Sequence, residues 1–148
     1  MAQTHVQAEF QDRRQIVFTA RERSMVNVRV ESTDGGPIGY TSYELLLIAL
    51  ANCTLGVVMG HESLKDLEVR NCRAELDATS VRGPSRIESI DVRVTLDVAG
   101  GTRRLQEILG HAADACPIGN TLKQPPRLTV SLVVEDSGAP AGQSQPVG

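Results

Sequence analysis

The 148-residue chain carries 15 Lys and Arg against 18 Asp and Glu, a net charge of −3, with 41% hydrophobic and 3% aromatic residues. This is a globular composition at the size of one domain, long enough to bury roughly two-thirds of its unfolded surface without disulfide staples. It excludes a basic footprint or a base-stacking platform for nucleic acid, and three widely spaced cysteines exclude a secreted disulfide framework.

No charged n-region followed by an apolar run opens the sequence, so no signal peptide is expected and the cytoplasm is the expected compartment. Three short strands come first: Val6 to Phe10, Gln15 to Thr19 and Met25 to Val30, each alternating or β-branched. Ser32 to Pro37, with Gly35 and Gly36 between, breaks the pattern into a loop. Thr41 and Glu44 then stand three apart as a capping box, and a helix runs from there to about Gly60. It is apolar nearly all round, which places it at the centre of a core or under a partner chain. Its apolar run from Leu45 to Gly60 spans 16 residues, short of the ~20 that a membrane span needs.

Two longer strands follow. Leu67 and Val69 lie in one phase and Cys72, Ala74, Leu76 and Ala78 in the other, a slip that predicts a bulge near Arg70–Asn71. Ile90, Val92, Val94, Leu96 and Val98 alternate without a break, as in a half-buried antiparallel strand. A second helix is expected after Gly100-Gly101, with Leu105, Ile108, Leu109, Ala112, Ala113 and Cys116 on one face and Pro117 ending or kinking it. A last strand is expected over Leu128, Val130, Leu132 and Val134. The order βββ-α-ββ-α-β describes an α+β domain over 1–136 with mainly antiparallel sheets, followed by a disordered tail over 137–148.

Cys53 lies inside the first helix and Cys116 at the end of the second. A lone cysteine usually packs as a small hydrophobe, and a separation of 63 positions fits no metal motif. The segments around them say more. Gly35-Gly36-Pro37-Ile38-Gly39-Tyr40-Thr41-Ser42-Tyr43-Glu44-Leu45-Leu46-Leu47, followed by Asn52-Cys53-Thr54, resembles the OsmC/Ohr family, in which a Gly-rich loop precedes a cysteine-bearing helix. Ala115-Cys116-Pro117-Ile118-Gly119-Asn120-Thr121-Leu122 is similar to the second-cysteine segment of that family.

This resemblance implies an intertwined homodimer built around back-to-back apolar helices. It also implies a cofactor-free thiol peroxidase that takes a hydroperoxide as substrate and a thiol or dithiol as reductant. Cys53 would be the peroxidatic nucleophile and Cys116 the resolving thiol. In the peroxidase members an Arg from the N-terminal strands, held by a Glu on the cysteine helix, ionises the first cysteine. Arg14 is the first candidate for that Arg, with Arg13 beside it. Here Tyr43 stands at the usual Glu position, and Glu44 is one step, about 100°, round the helix. Glu44 therefore reads as a capping partner before an Arg clamp. A redox-inactive OsmC-like protein that binds small molecules or senses redox state is the alternative. Cys72 reads as structural, His61 as a helix-end cap and His111 as exposed. No metal or phosphate-loop spacing is present, and neither membrane nor nucleic acid is an expected partner.

Overall fold

A computed structural model describes residues 2–138, so nearly all of the tail expected to be disordered, 139–148, lies outside the described residues. β1 (Gln7–Gln11), β2 (Gln15–Ala20) and β3 (Arg23–Val28) form an antiparallel meander in chain order. Its turns are tight. Asp12 and Arg13 take positive φ between β1 and β2, and Arg21 does so between β2 and β3, a region few side chains adopt outside turns. Arg14 closes the first turn through its N–H to the Gln11 carbonyl (3.0 Å) and its carbonyl to the Arg29 N–H (2.6 Å).

One buried amide ties this sheet to the rest of the chain. Asn27 is 3% exposed. Its side chain accepts from the Tyr40 N–H (2.8 Å) and donates to the Tyr40 carbonyl (2.9 Å), standing in for a strand that the loop does not supply. Gly39 makes this approach possible: a Cβ there would lie 2.2 Å from the Val28 carbonyl oxygen.

The capping box then starts α1 (Ser42–Met59) as expected. The Thr41 hydroxyl accepts from the Glu44 N–H (3.2 Å), and the Glu44 carboxylate accepts from the Thr41 N–H (2.7 Å). By length and composition alone α1 matches a membrane span. Leu50, Thr54 and Val58, four apart, are its buried positions, and it packs on α2, α3 and β4. Ile48 and Met59 remain about 45% exposed. His61 does not cap this helix. Its Nδ1 accepts from the Ser63 N–H and opens a single 3-10 turn, Glu62–Leu64, because the chain reverses at Gly60.

β4 (Val69–Val81) and β5 (Arg86–Val98) make a long antiparallel hairpin, with a register shift between Val69 and Asn71 where the phase slip predicts one. Val58, Leu64 and Leu109 form the buried centre, and Val69, Cys72, Val94, Leu96, Leu105 and Ala113 pack against it. The α+β fold class thus follows the expected pattern, with two differences. The expected second helix ends at Asp114 as α2 (Arg103–Asp114), and a further helix, α3 (Pro117–Lys123), starts at Pro117, which cannot continue a helix but suits its first position. Leu128–Val134 forms no strand among the described residues: its large apolar side chains are 80–86% exposed. Alternation alone does not make a strand where no sheet edge of the same chain comes alongside to take its hydrogen bonds.

Replacing Asn27 with Ala leaves both Tyr40 backbone groups without their partner. The variant is expected to lose about 2 kcal/mol of stability, read as a lower urea midpoint at an unchanged slope.

Candidate active site

The split between α2 and α3 positions the second cysteine. Cys116 is the N-cap of α3, with Pro117 at the first helical position. Its Sγ accepts from the Gly119 N–H at 3.2 Å, and Asn120 N–H bonds its carbonyl at 2.9 Å. Lys123, at the far end of α3, returns to Asp114 and bonds both its carboxylate (2.6 Å) and its carbonyl (2.8 Å). The bend carrying Cys116 is therefore held from both sides.

α1 supplies the other wall. Thr54 is 3% exposed, and its hydroxyl lies 3.5 Å from Cys116 Sγ. Cys53, the preceding residue on α1, is half-buried, and its thiol is among the groups that favour the Cys116 thiolate. The structure thus brings together the two cysteines that the sequence singles out. Gly119 is fixed by this packing, since a Cβ there would sit 3.1 Å from Cys116 Sγ and 3.9 Å from Leu50 Cδ1.

The electrostatics follow the hydrogen bonds. Burial is the largest influence on Cys116 and opposes its thiolate. The Thr54 hydroxyl, the Gly119 N–H, Cys53 and the Ile118 N–H together outweigh it and hold the thiol below its ordinary value of 9.0. Cys72, packed on the core from β4, has no such donors, and burial alone pushes its thiol up. Of these two thiols, Cys116 is the one held toward its thiolate. A cavity of about 1220 Å³ opens beside it between β5, α1, α2 and α3, with Thr54, Cys116, Gly119 and Lys123 among its lining residues.

The remaining candidates lie elsewhere. Glu44 is exposed and engaged with Thr41, whose N–H and then hydroxyl hold its carboxyl below its ordinary value. Arg13 and Arg14 are exposed in the β1–β2 turn. The ion pairs among the described residues join Arg70 to Glu68, Arg86 to Glu88, Arg103 to Glu107 and Lys123 to Asp114, so neither Arg is clamped by Glu44. His111 is exposed. No cluster of metal-ligating side chains occurs among the described residues. The residues that sequence reasoning did not assign to the site are Gly119 and the cap role of Cys116. The signal for both was the Cys-Pro pair, which marks a helix start as readily as a helix end.

The chain is a sheet-and-helix domain with two cysteines carried on neighbouring helices. The family of OsmC-like proteins matches residues 32–131, and the chain belongs to that family. No curated protein matches it. Among solved structures, it is similar to an OsmC-like protein from Mycoplasma pneumoniae at 13% identity and a TM-score of 0.69, covering 84% of this chain and 89% of that one. A putative osmotic stress induced and detoxification response protein from Psychrobacter arcticus gives 16% identity and a TM-score of 0.66 over 82% and 89% of the two chains. An organic hydroperoxide resistance protein OsmC from Legionella pneumophila, described as a predicted redox protein, gives 13% and 0.58 over 83% and 90%. At these identities the likeness establishes the fold.

Because the folded Cys116 value lies below the ordinary one, the thiolate contributes stability that is present above pH 9.0 and lost as pH falls through the folded value. The thiolate ultraviolet absorbance of the native protein minus that of Cys116→Ser should titrate below the ordinary thiol range, and Thr54→Val should move the step upward.

Proposed function

We propose that this protein is a cytoplasmic, homodimeric thiol peroxidase that reduces organic hydroperoxides, with Cys53 as the peroxidatic and Cys116 as the resolving cysteine. Membership of the OsmC-like family and the description of the Legionella structure as a hydroperoxide resistance and redox protein support a redox or stress role. The observation that carries the finer reading is the cradle that Thr54 and Gly119 form around Cys116 Sγ, with Cys53 the neighbouring residue on α1.

In the first step the Cys53 thiolate attacks the outer oxygen of the hydroperoxide. An S–O bond forms, the O–O bond breaks, and the departing alkoxide takes up a proton to become an alcohol. Cys53 is left as a sulfenic acid. Cys116, held toward thiolate by its donors, then attacks the Cys53 sulfur. The S–S bond forms and the hydroxide leaves as water on protonation. Two electrons from a thiol or dithiol reductant restore the pair by exchange.

A thiolate nucleophile is favoured by a cation beside its sulfur. The N-terminal sheet does not pack extensively on α1 of its own chain, so Arg14, with Arg13 as its neighbour, is proposed to reach Cys53 from the second protomer. The exposed apolar flank of α1 and the unpaired Leu128–Val134 segment both support an intertwined dimer, because each has a surface or a set of backbone groups that a second copy can satisfy.

One equivalent of an organic hydroperoxide is expected to give a Cys53–Cys116 disulfide within seconds, faster than hydrogen peroxide does, by peptide mass spectrometry. Cys53→Ser should abolish turnover, Cys116→Ser should leave a trappable sulfenic acid, and Arg14→Ala should slow oxidation on the order of a hundredfold. Persistence of both thiols over minutes would favour the ligand-binding alternative, for which the cavity beside Cys116 is the feature of interest.

A further inference from the structure

The two sulfurs differ in access and in what surrounds them. Cys116 is 1% exposed, whereas Cys53 is half-buried. Cys116 Sγ faces the Gly119 N–H at 3.2 Å and the Thr54 hydroxyl at 3.5 Å. Among the described residues Cys116 Sγ is the one side-chain hydrogen-bond partner of the Thr54 hydroxyl, although a threonine inside a helix can instead bond the carbonyl one turn back. A hydroxyl buried in an apolar helix and directed at a sulfur on another helix is a specific placement. Gly119 approaches the same sulfur so closely that any Cβ would crowd it at 3.1 Å. The donors thus converge on the more enclosed of the two cysteines, and the less enclosed one lies beside them on α1.

We propose that Thr54 and the Gly119 N–H form a thiolate hole that fixes the direction of reduction, so that an external thiol attacks Cys53 of the oxidised pair and expels Cys116. The inference rests on the dithiol reading above and concerns the second half of the cycle. The reductant thiolate attacks Cys53 Sγ. A new S–S bond forms between reductant and Cys53, the Cys53–Cys116 bond breaks, and its electron pair passes to Cys116 Sγ, where the Gly119 N–H and Thr54 hydroxyl receive the charge. A second thiol of the reductant, or a second monothiol, then attacks the reductant sulfur of the mixed disulfide. Cys53 departs with the electron pair and takes up a proton. The reductant ends as a disulfide, oxidised by two electrons, and the protein ends as a dithiol. Exchange is faster when the departing thiolate is the better stabilised one, and attack in the opposite sense would require entry to a sulfur that the fold encloses. Thr54 is on this account a catalytic residue of reduction, because it touches the reacting sulfur.

The test starts from the full chain oxidised with diamide, so that no peroxide chemistry is needed. The disulfide is reduced with excess 2-mercaptoethanol, quenched with acid at short times, alkylated and mapped by peptide mass spectrometry. The mercaptoethanol adduct is expected on Cys53 and the alkyl group on Cys116. Thr54→Val should slow reduction on the order of tenfold, the loss of one hydrogen bond to a charged group, and Thr54→Ser should restore the rate. An adduct on Cys116, a wild-type rate in a folded Thr54→Val, or failure of diamide to join Cys53 to Cys116 would each overturn the proposal. Because the adduct is mapped in the unsubstituted protein, a Thr54→Val that fails to fold leaves that result decisive. Diamide-formed disulfide that reduces through Cys53, in a protein that hydroperoxides do not oxidise, would remove the peroxidase reading and leave this one standing.

Discussion

The contact between α1 and the α2–α3 bend is the constraint on which the rest depends. Leu50, Thr54 and Val58 are spaced one turn apart, so a single stripe of α1 meets Cys116 and Gly119 at one level and the core of Leu64 and Leu109 at another. The stripe is narrow. A side chain on it is fixed by packing, and Cys53, one residue before Thr54, lies at its edge. This explains how adjacent residues on one helix differ: Thr54 is enclosed against Cys116 Sγ, whereas Cys53 is only half-buried. A helix apolar all round loses little by hosting a thiol and a hydroxyl, provided that both find partners. The bend supplies those partners.

The bend is itself over-determined, which a reactive pair requires. Pro117 presets the first turn of α3, Gly119 permits close approach, and Lys123 fastens the end of α3 to Asp114. The Asp114–Lys123 pair is exposed and its own contribution is small. Its use is geometric, since it restrains the two residues that bracket Cys116. A hydrogen bond to sulfur is long and weakly directional, so holding a thiolate depends on several donors arriving together. Cys72 shows the contrast within the same molecule. It has comparable apolar surroundings without donors, and its thiol moves in the opposite direction.

Much of this was legible in the sequence because local rules and tertiary packing agreed. The capping box at Thr41 and Glu44, the meander, the phase slip near Asn71 and the apolar stripe of α2 all follow from side-chain chemistry within a few residues. The pairing of Cys53 with Cys116 came from motif resemblance. Other features were not legible for stated reasons. Pro117 carries two meanings, stop and start, and the choice depends on whether the following residues find packing partners, as Gly119 does against Cys116 and Leu50. Asn27 resembles an ordinary outward-facing strand residue until Tyr40 folds back on it. Leu128–Val134 has the pattern of a strand, but pattern specifies which face is apolar and not which edge will pair with it.

The last point bears on why the fold is built as it is. The buried core centre holds few residues for a chain of this length, and the apolar surface of α1 exceeds what α2, α3 and β4 cover. The N-terminal sheet is joined to the remainder chiefly through the Asn27–Tyr40 clasp. Such a chain has placed its cation-bearing turn, its uncovered helix and its exposed Leu128–Val134 segment on parts that do not satisfy one another internally. Within the proposed dimer all three deficits are met by one operation, since symmetry gives each copy the missing surface of the other. The dithiol cradle differs, because every group that stabilises the Cys116 thiolate comes from the same chain. Cys116 would accordingly be set by the fold of the protomer, while the cation proposed to serve Cys53 would come from assembly, so that oxidation by peroxide would be coupled to dimerisation and thiolate release at Cys116 would not.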